Sequence, residues 1–238
     1  MRIALIGYGK MGKLIEEIAV AQGHSIVLKI SSSNRKDLTA ANLSTADVAI
    51  EFTNPESAYE NVKFCIESGI PVVSGSTGWN EKIGDVHSLC KEKNGSFLHA
   101  SNFSIGVNIF FAINTKLAEL MASQSGYEVS LKEIHHTAKK DAPSGTAVTL
   151  AEQIISKLPL KTSWVNEETK SANELSILSE RIDPAPGTHH VKYDSEIDSI
   201  EIIHTAHNRK GFASGAVKAA EFVSSRKGVF TMQDVLGL

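Results

Sequence analysis

At 238 residues, with 42% hydrophobic and 21% charged residues, the chain has ordinary globular composition and enough length to bury a core in one or two domains. A formal net charge of -3 offers no basic excess for nucleic acid or an anionic membrane. Cys65 and Cys90 have neither metal-ligand nor disulfide-framework spacing, the apolar run at the N-terminus is too short for a signal peptide, and no stretch approaches the ~20 residues that span a bilayer, so a reducing, cytoplasmic setting is expected.

The first half alternates strand and helix signals. Ile3 to Ile6 is a short apolar run that predicts a buried parallel strand, and Met11, Leu14, Ile15, Ile18 and Ala19 recur at helical spacing after a glycine turn. His24 to Ile30 and Asp47 to Phe52 read as the second and third strands. Thr53-Asn54-Pro55 supplies a cap residue and a first-turn proline for a helix ending near Gly69. Pro71 to Ser74 and Ser96 to His99 read as two more strands. This rhythm predicts an α/β, Rossmann-type doubly wound parallel sheet with helices on both faces.

The rhythm changes near Ser101 to Ser104. Beyond it, Glu128 to His136 reads as a strand, and Ala147, Leu150, Ala151, Ile154, Ile155 and Leu158 form a helical stripe. Pro159 to Asp198 is looser and polar, with Pro184-Ala185-Pro186-Gly187 as a breaker. Ser199 to Ala206 reads as a strand, and a last helix runs from about Ala213 to Ser225 before a short tail.

Gly7-Tyr8-Gly9-Lys10-Met11-Gly12 is a G-x-G-x-x-G turn between a strand and a helix, the context in which the motif binds a dinucleotide. The first glycine permits the turn, the second lets a pyrophosphate approach the backbone, and the third lets helix and strand pack closely. Glycine-rich turns of other doubly wound folds also fit the pattern. NAD-specific sites often place an acid after the second strand. Here that place reads Ser31-Ser32-Ser33-Asn34-Arg35-Lys36, with hydroxyls and cations instead, which leans towards NADPH and leaves NADH open.

Glu133-Ile134-His135-His136-Thr137-Ala138-Lys139-Lys140-Asp141-Ala142-Pro143-Ser144-Gly145-Thr146-Ala147 joins a strand end to a helix start. Ser144, Gly145 and Thr146 at that start suit a carboxylate, Lys139 adds a full charge, and histidine is the side chain suited to proton exchange near neutrality. His135 and His136 reach one pocket only if the backbone turns at the strand end. Taken singly, the histidines also suit a surface pair and Ser-Gly-Thr an ordinary N-cap. Six of the nine histidines lie in this half, but none forms H-E-x-x-H and no cysteine is near, so no metal is expected.

On these residues the chain resembles the dihydrodipicolinate reductase family over essentially its whole length. The run from His135-His136 through Lys139 to Asp141-Ala142-Pro143-Ser144-Gly145-Thr146-Ala147 is similar to the family signature. Gly75-Ser76-Thr77-Gly78 resembles its nicotinamide-side loop, Ser101-Asn102-Phe103-Ser104 the start of its hinge segment, and Phe52-Thr53 a cofactor contact; Phe212 to Ala216 and Asp234-Val235-Leu236 also match. The resemblance implies a NAD(P)H-dependent oxidoreductase of lysine and diaminopimelate biosynthesis, reducing 4-hydroxy-tetrahydrodipicolinate, a small dicarboxylate, by hydride addition to ring C4. It implies His135 as the acid, with Lys139 as its partner and a substrate contact; His136, Ser144, Gly145 and Thr146 as the dicarboxylate grip; and Gly7, Gly9, Lys10, Met11, Gly12, Ser32, Ser33, Phe52, Thr53, Gly75, Ser76, Thr77, Ser101, Asn102 and Phe103 as cofactor contacts. It further implies residues 1-103 and 210-238 as the dinucleotide-binding domain. Residues 104-209 would form a smaller α+β domain with a mixed open sheet that binds substrate and builds a homotetramer. The departures are a glycine turn one residue short with Lys10 where arginine is usual, the missing acid after the second strand, and a trimmed Pro159 to Asp198. The alternatives are another two-domain oxidoreductase, which would need a different acid–base set, and a dinucleotide-sensing module, which leaves Lys139 with Ser-Gly-Thr unexplained.

Overall fold

The computed structural model describes residues 1–238 and divides into two compact units, Met1–Ile105 with Lys210–Leu238, and Gly106–Arg209. In the first, β1 (Arg2–Ile6), α1 (Lys10–Ala21), β2 (Ser25–Ile30), α2 (Ala40–Leu43), β3 (Val48–Glu51), α3 (Pro55–Glu67), β4 (Val72–Ser74), α4 (Ile83–Glu92) and β5 (Ser96–His99) follow in order. The chain then runs through α5 (Ile105–Met121), β6 (Glu128–His135), α6 (Gly145–Lys157), β7 (Ser163–Val165), β8 (Glu174–Arg181), β9 (Thr188–Asp194) and β10 (Ser199–Thr205). It returns to the first unit with α7 (Lys210–Val223), β11 (Gly228–Phe230) and α8 (Met232–Leu236).

All six strands of the first unit are parallel, in the order β11-β5-β4-β3-β1-β2. Both faces are buried because successive side chains alternate. Ile3 and Leu5 pack with Ile15 of α1 and Ala216, Val217 and Ala220 of α7, while Ala4 and Ile6 pack with Val62 and Ile66 of α3 and Val86 of α4. Asn54 caps α3 by accepting from Ser57 N at 3.0 Å, with Pro55 in the first turn. The strand order reverses between β1 and β3, and the carboxyl ends at such a switch point are where doubly wound sheets receive ligands.

The second unit is a mixed sheet in the order β10-β9-β6-β8-β7, antiparallel across β10/β9/β6 and parallel across β6/β8/β7. Its buried face carries Val129, Leu131, Leu175, Ile177, Val191 and Tyr193 against Phe110 and Ala118 of α5 and Leu150, Ala151 and Ile154 of α6. Three of these strands occupy the segment whose polarity reads as loop. In β9 (Thr-His-His-Val-Lys-Tyr-Asp) the buried alternate positions are His189, Val191 and Tyr193, and the buried histidine with the polar residues between them leaves only two apolar positions to mark the strand. Helix α5 is likewise unmarked in the sequence reading: its buried positions, Val107, Phe110, Asn114, Ala118 and Met121, are helically spaced, but exposed Ile109, Ile113 and Leu120 blur the stripe. No helix is long and apolar enough to cross a membrane.

Candidate functional site

The carboxyl ends of β1 and β3 border an open cleft of about 460 Å³, lined among others by Gly7, Gly9, Ser31, Ser32, Arg35 and Thr53. Gly7 has φ +102°, and a Cβ there would lie 1.9 Å from the carbonyl oxygen of Phe52, so only glycine lets these two strand ends approach. A Cβ on Gly12 would lie 2.3 Å from the carbonyl oxygen of Gly7, which ties the helix to the turn. A Cβ on Gly9 would meet nothing within 4 Å. Gly9 is also the N-cap of α1, with no side chain capping it, so the first N–H groups of the helix face a ligand-sized space.

Two loops beside the cleft are fixed by Glu51, whose carboxylate is fully buried at the end of β3. Oε2 accepts from Ser74 Oγ at 2.5 Å. Oε1 accepts from Ser76 Oγ at 2.8 Å, from Thr53 N at 3.0 Å and from the Thr53 hydroxyl. The Ser76 carbonyl in turn accepts from Trp79 Nε1 at 2.7 Å and lies 3.0 Å from His99 Nε2. Gly75 lies against the Phe52 ring, and a Cβ on it would fall 2.2 Å from the ring atoms.

The remaining cofactor candidates separate by position. Phe52 joins Thr53 in the lining, whereas Gly75, Ser76 and Thr77 lie beyond it. Lys10 is exposed on the first turn of α1, and Met11 packs on the core. Ser32 lines the cleft; Ser33 does not, its hydroxyl lying 2.9 Å from that of Ser31. Ser101 is exposed, and Asn102 accepts from Ser104 N at 2.9 Å. Phe103 is a core residue, 2% exposed and packed on Phe52.

In the second unit the period of two on β6 puts Glu133 and His135 on the same buried face as Val129 and Leu131. The sheet register sets His189 of β9 opposite Glu133, and Arg181 of β8 beside His135. The face is thus apolar at one end and charged at the other. Glu133 is 0% exposed. Its Oε1 accepts from Arg181 Nη2 at 3.0 Å and from Ser144 N at 3.1 Å. Its Oε2 lies 2.9 Å from His135 Nδ1 and 3.9 Å from His189 Nε2. Neither Oε2 nor Nδ1 has a geometrically aligned hydrogen-bond partner, so their contact is a close electrostatic pair with the oxygen off the ring N–H direction. Burial opposes ionisation of Glu133, yet His135, Ser144, Ser179 and Arg181 outweigh it and hold the carboxyl well below the usual range. Burial, followed by repulsion from His135, pushes His189 down to about 3, so it stays neutral.

The strand ends at His135, and His136 opens a turn in which its carbonyl accepts from Lys139 N at 3.1 Å. Lys139 Nζ holds both oxygens of Asp141 at 2.8 Å, and that pairing draws the Asp141 carboxyl below its usual range. Ser144 caps α6, accepting from Ala147 N at 3.2 Å, and its hydroxyl lies 3.0 Å from His189 Nε2. It is 3% exposed; Gly145, next on the helix, is exposed, and Thr146 is half-buried.

Family models described as the N-terminus and the C-terminus of dihydrodipicolinate reductase match residues 1–103 and 106–236. The chain belongs to the dihydrodipicolinate reductase family. It is 46% identical over 237 residues to the 4-hydroxy-tetrahydrodipicolinate reductase of Christiangramia forsetii, covering 99% of this chain and 98% of that one. It is 33% identical over 230 residues to the protein of the same name from Neisseria meningitidis serogroup B, covering 94% and 84%. Among solved structures, a dipicolinate-bound dihydrodipicolinate reductase from Paenisporosarcina sp. TG-14 superposes with a TM-score of 0.79 at 23% identity over 98% of both chains. A scyllo-inositol dehydrogenase from Lactobacillus casei gives 0.57 at 11% identity over 99% and 92%. At these identities the solved structures speak for the fold alone. Residues 1–103 of this reductase-family chain are the family's N-terminal, nucleotide-binding domain.

Four residues that organise these sites are given no role in the sequence reading: Glu51, Glu133, Arg181 and His189. Glu133 was findable, because it alternates with Leu131 and His135 along one strand. Arg181 and His189 lie in the segment that reads as loop, so nothing local marks them. Glu133, His135 and His189 also bring three potential donor atoms within 4.8 Å, the spacing of a metal set. The Arg181 guanidinium takes Oε1 of that carboxylate and the Ser144 hydroxyl lies at Nε2 of His189, while Oε2 and His135 Nδ1 face each other without an aligned partner.

Proposed function

We propose that this chain reduces 4-hydroxy-tetrahydrodipicolinate to tetrahydrodipicolinate, in the diaminopimelate route to lysine, with a reduced nicotinamide nucleotide. The observation that carries the reading is the stretch from His135 to Thr146. It brings a carboxylate-backed imidazole, a lysine and a helix N-terminus together in a chain nearly half identical to a protein of that name. The glycine turn suits the nucleotide: Gly9 and the uncapped start of α1 offer N–H groups to a pyrophosphate. Ser31, Ser32 and Arg35 line the cleft without any carboxylate, which favours the 2′-phosphate of NADPH over NADH.

Loss of the C4 hydroxyl together with a proton from the adjacent ring carbon releases water and leaves a conjugated imine, and a reduced nucleotide held by the glycine turn would supply the hydride that C4 takes up. Lys139 exchanges Asp141 for a substrate carboxylate, and its charge stabilises electron density displaced towards the ring nitrogen. Gly145 and Thr146, at the positive end of α6, and His136 hold the dicarboxylate; Ser144 orients that helix start, its hydroxyl being engaged already. His135 supplies the proton that completes the product. The two buried, unpaired cysteines suit a cytoplasmic setting, and exposed Ile200 and Ile203 on edge strand β10 suit burial in a homotetramer.

The test generates the unstable substrate in place from pyruvate and aspartate semialdehyde with the preceding synthase, and follows reduced-nicotinamide absorbance with NADPH and NADH in parallel. Loss that requires both proteins, faster with NADPH, is the expected result. A folded protein that binds nucleotide but turns over neither cofactor overturns the reading.

A further inference from the structure

We propose that Glu133 is a positioning residue for the reaction, holding the Nδ1–H of His135 so that Nε2 is the nitrogen that exchanges a proton with substrate. The assignment rests on the reading of His135 as the acid.

The two oxygens of Glu133 have different neighbours. Oε1 is taken by donors that do not titrate in the working range, the Arg181 guanidinium and the Ser144 backbone N–H. These fix the carboxylate plane from β8 and from the start of α6. Oε2 has no donor of this kind; it faces His135 Nδ1 at 2.9 Å. An ionised carboxylate accepts only, so even with the oxygen off the ring N–H direction its charge favours the hydrogen on the facing nitrogen, Nδ1. The groups around His135 are Glu133 on its own strand, Arg181 on β8 through that carboxylate, His189 on β9, and Lys139 and Asp141 in the loop beyond. His189 meets it ring edge to face at 5.1 Å and, with His204 of β10 and Lys139 acting on it as well, remains uncharged. Glu133 is the one anion buried against the imidazole.

The other nitrogen has been left room. Gly187, at φ +152° in the loop before β9, stands where a Cβ would lie 2.9 Å from His135 Nε2. A side chain there would close off that nitrogen. Ile182 N donates to the His135 carbonyl at 2.7 Å, which fixes the backbone at the strand end. Carboxylate, imidazole and an unobstructed second nitrogen form the arrangement by which a buried acid residue fixes the tautomer of a catalytic histidine and stabilises its cation.

The experiment is the coupled assay on the full chain across pH, for wild type, Glu133→Gln, His135→Gln and the double variant. A second measurement on 15N-histidine-labelled wild type reads the tautomer of His135 from long-range proton–nitrogen couplings, assigned by the signal lost in His135→Gln. Expected for Glu133→Gln are a fall in kcat of about 10²-fold, an unchanged KM for the nucleotide, and an alkaline limb of the kcat profile moved to lower pH. Adding Glu133→Gln to His135→Gln should cost little further, because one acts through the other. The neutral imidazole should be the Nδ1–H form. An unmoved limb, equal losses with and without His135, or an Nε2–H imidazole overturns the proposal while leaving the proposed activity intact. Full turnover by His135→Gln overturns both the acid assignment and this one. Where Glu133→Gln does not fold, the tautomer in wild type decides.

Discussion

Two glutamates, Glu51 and Glu133, are both fully buried near the carboxyl ends of strands, one in each sheet. Their partners differ. Glu51 is met only by neutral donors: the hydroxyls of Ser74, Ser76 and Thr53 and one backbone N–H. Glu133 is met by a guanidinium and an imidazole as well as a backbone N–H. A buried charge is costly and persists only when satisfied, but the means of satisfaction decides what it does. Neutral donors make Glu51 a fastener for two loops. A titratable partner lets Glu133 act on a proton.

Breaking the proton side should have the largest effect. His135→Gln should lower kcat by about 10²- to 10⁴-fold with little change in nucleotide Kd, measured by the coupled assay and by nucleotide titration. Equal damage to nucleotide binding would erase the contrast.

Acid should separate the two units next. His189 is pushed down to about 3 from the usual 6.5, so protonation favours the unfolded chain; its stabilisation is complete above pH 6.5 and lost as pH falls towards 3. Glu133, held below its usual 4.5, adds a loss that begins only beneath that pH. By pH 4 the second unit should lose about 3 kcal/mol through His189. Thermal melts from pH 7 to 4 should show it, and His189→Gln should flatten the dependence.

Glu51→Gln tests the fastener. It leaves a buried amide among donors arranged for a carboxylate, which should destabilise the first unit by about 1–3 kcal/mol and weaken nucleotide binding. The position of the kcat–pH limb should not move; a moved limb would give Glu51 a proton role too. The smallest expected effect is that of Ser144→Ala, about 1 kcal/mol for a lost helix cap, read from chemical denaturation. A much larger loss would show that the contact with His189 matters more than the cap.

The parts legible in the sequence are those made by backbone or by chain neighbours. Gly7, Gly9 and Gly12 carry their geometry in their spacing, and in the structure they have, in turn, a positive φ, an open flank and a close approach. His135, Lys139 and Ser144 to Thr146 sit within twelve residues, so their association needs no fold to be seen. What stayed hidden is made by strand register. Arg181 and His189 reach Glu133 only because β8 and β9 flank β6, and at the end where the site lies β8 spends a half-buried position and β9 a buried one on polar residues. The signal that would mark them as strands is the one their chemistry removes. Glu51 is hidden for the related reason that an acid closing an apolar strand reads as its polar end, whereas Ser74 and Ser76 make its burial tolerable.

The chain leaves the first unit at Ile105 and re-enters it at Lys210, and this interruption imposes an order on synthesis. When residue 105 has been made, five of the six parallel strands exist, but the alanine-rich face of α7 that covers Ile3 and Leu5 does not. The second unit, continuous in sequence, can close as soon as it emerges. The first must wait with that side of its sheet covered only by α1 while 106–209 are translated, about 5–20 s at ordinary elongation rates. The unit that begins first finishes last, and the newborn chain is most exposed to aggregation in that interval.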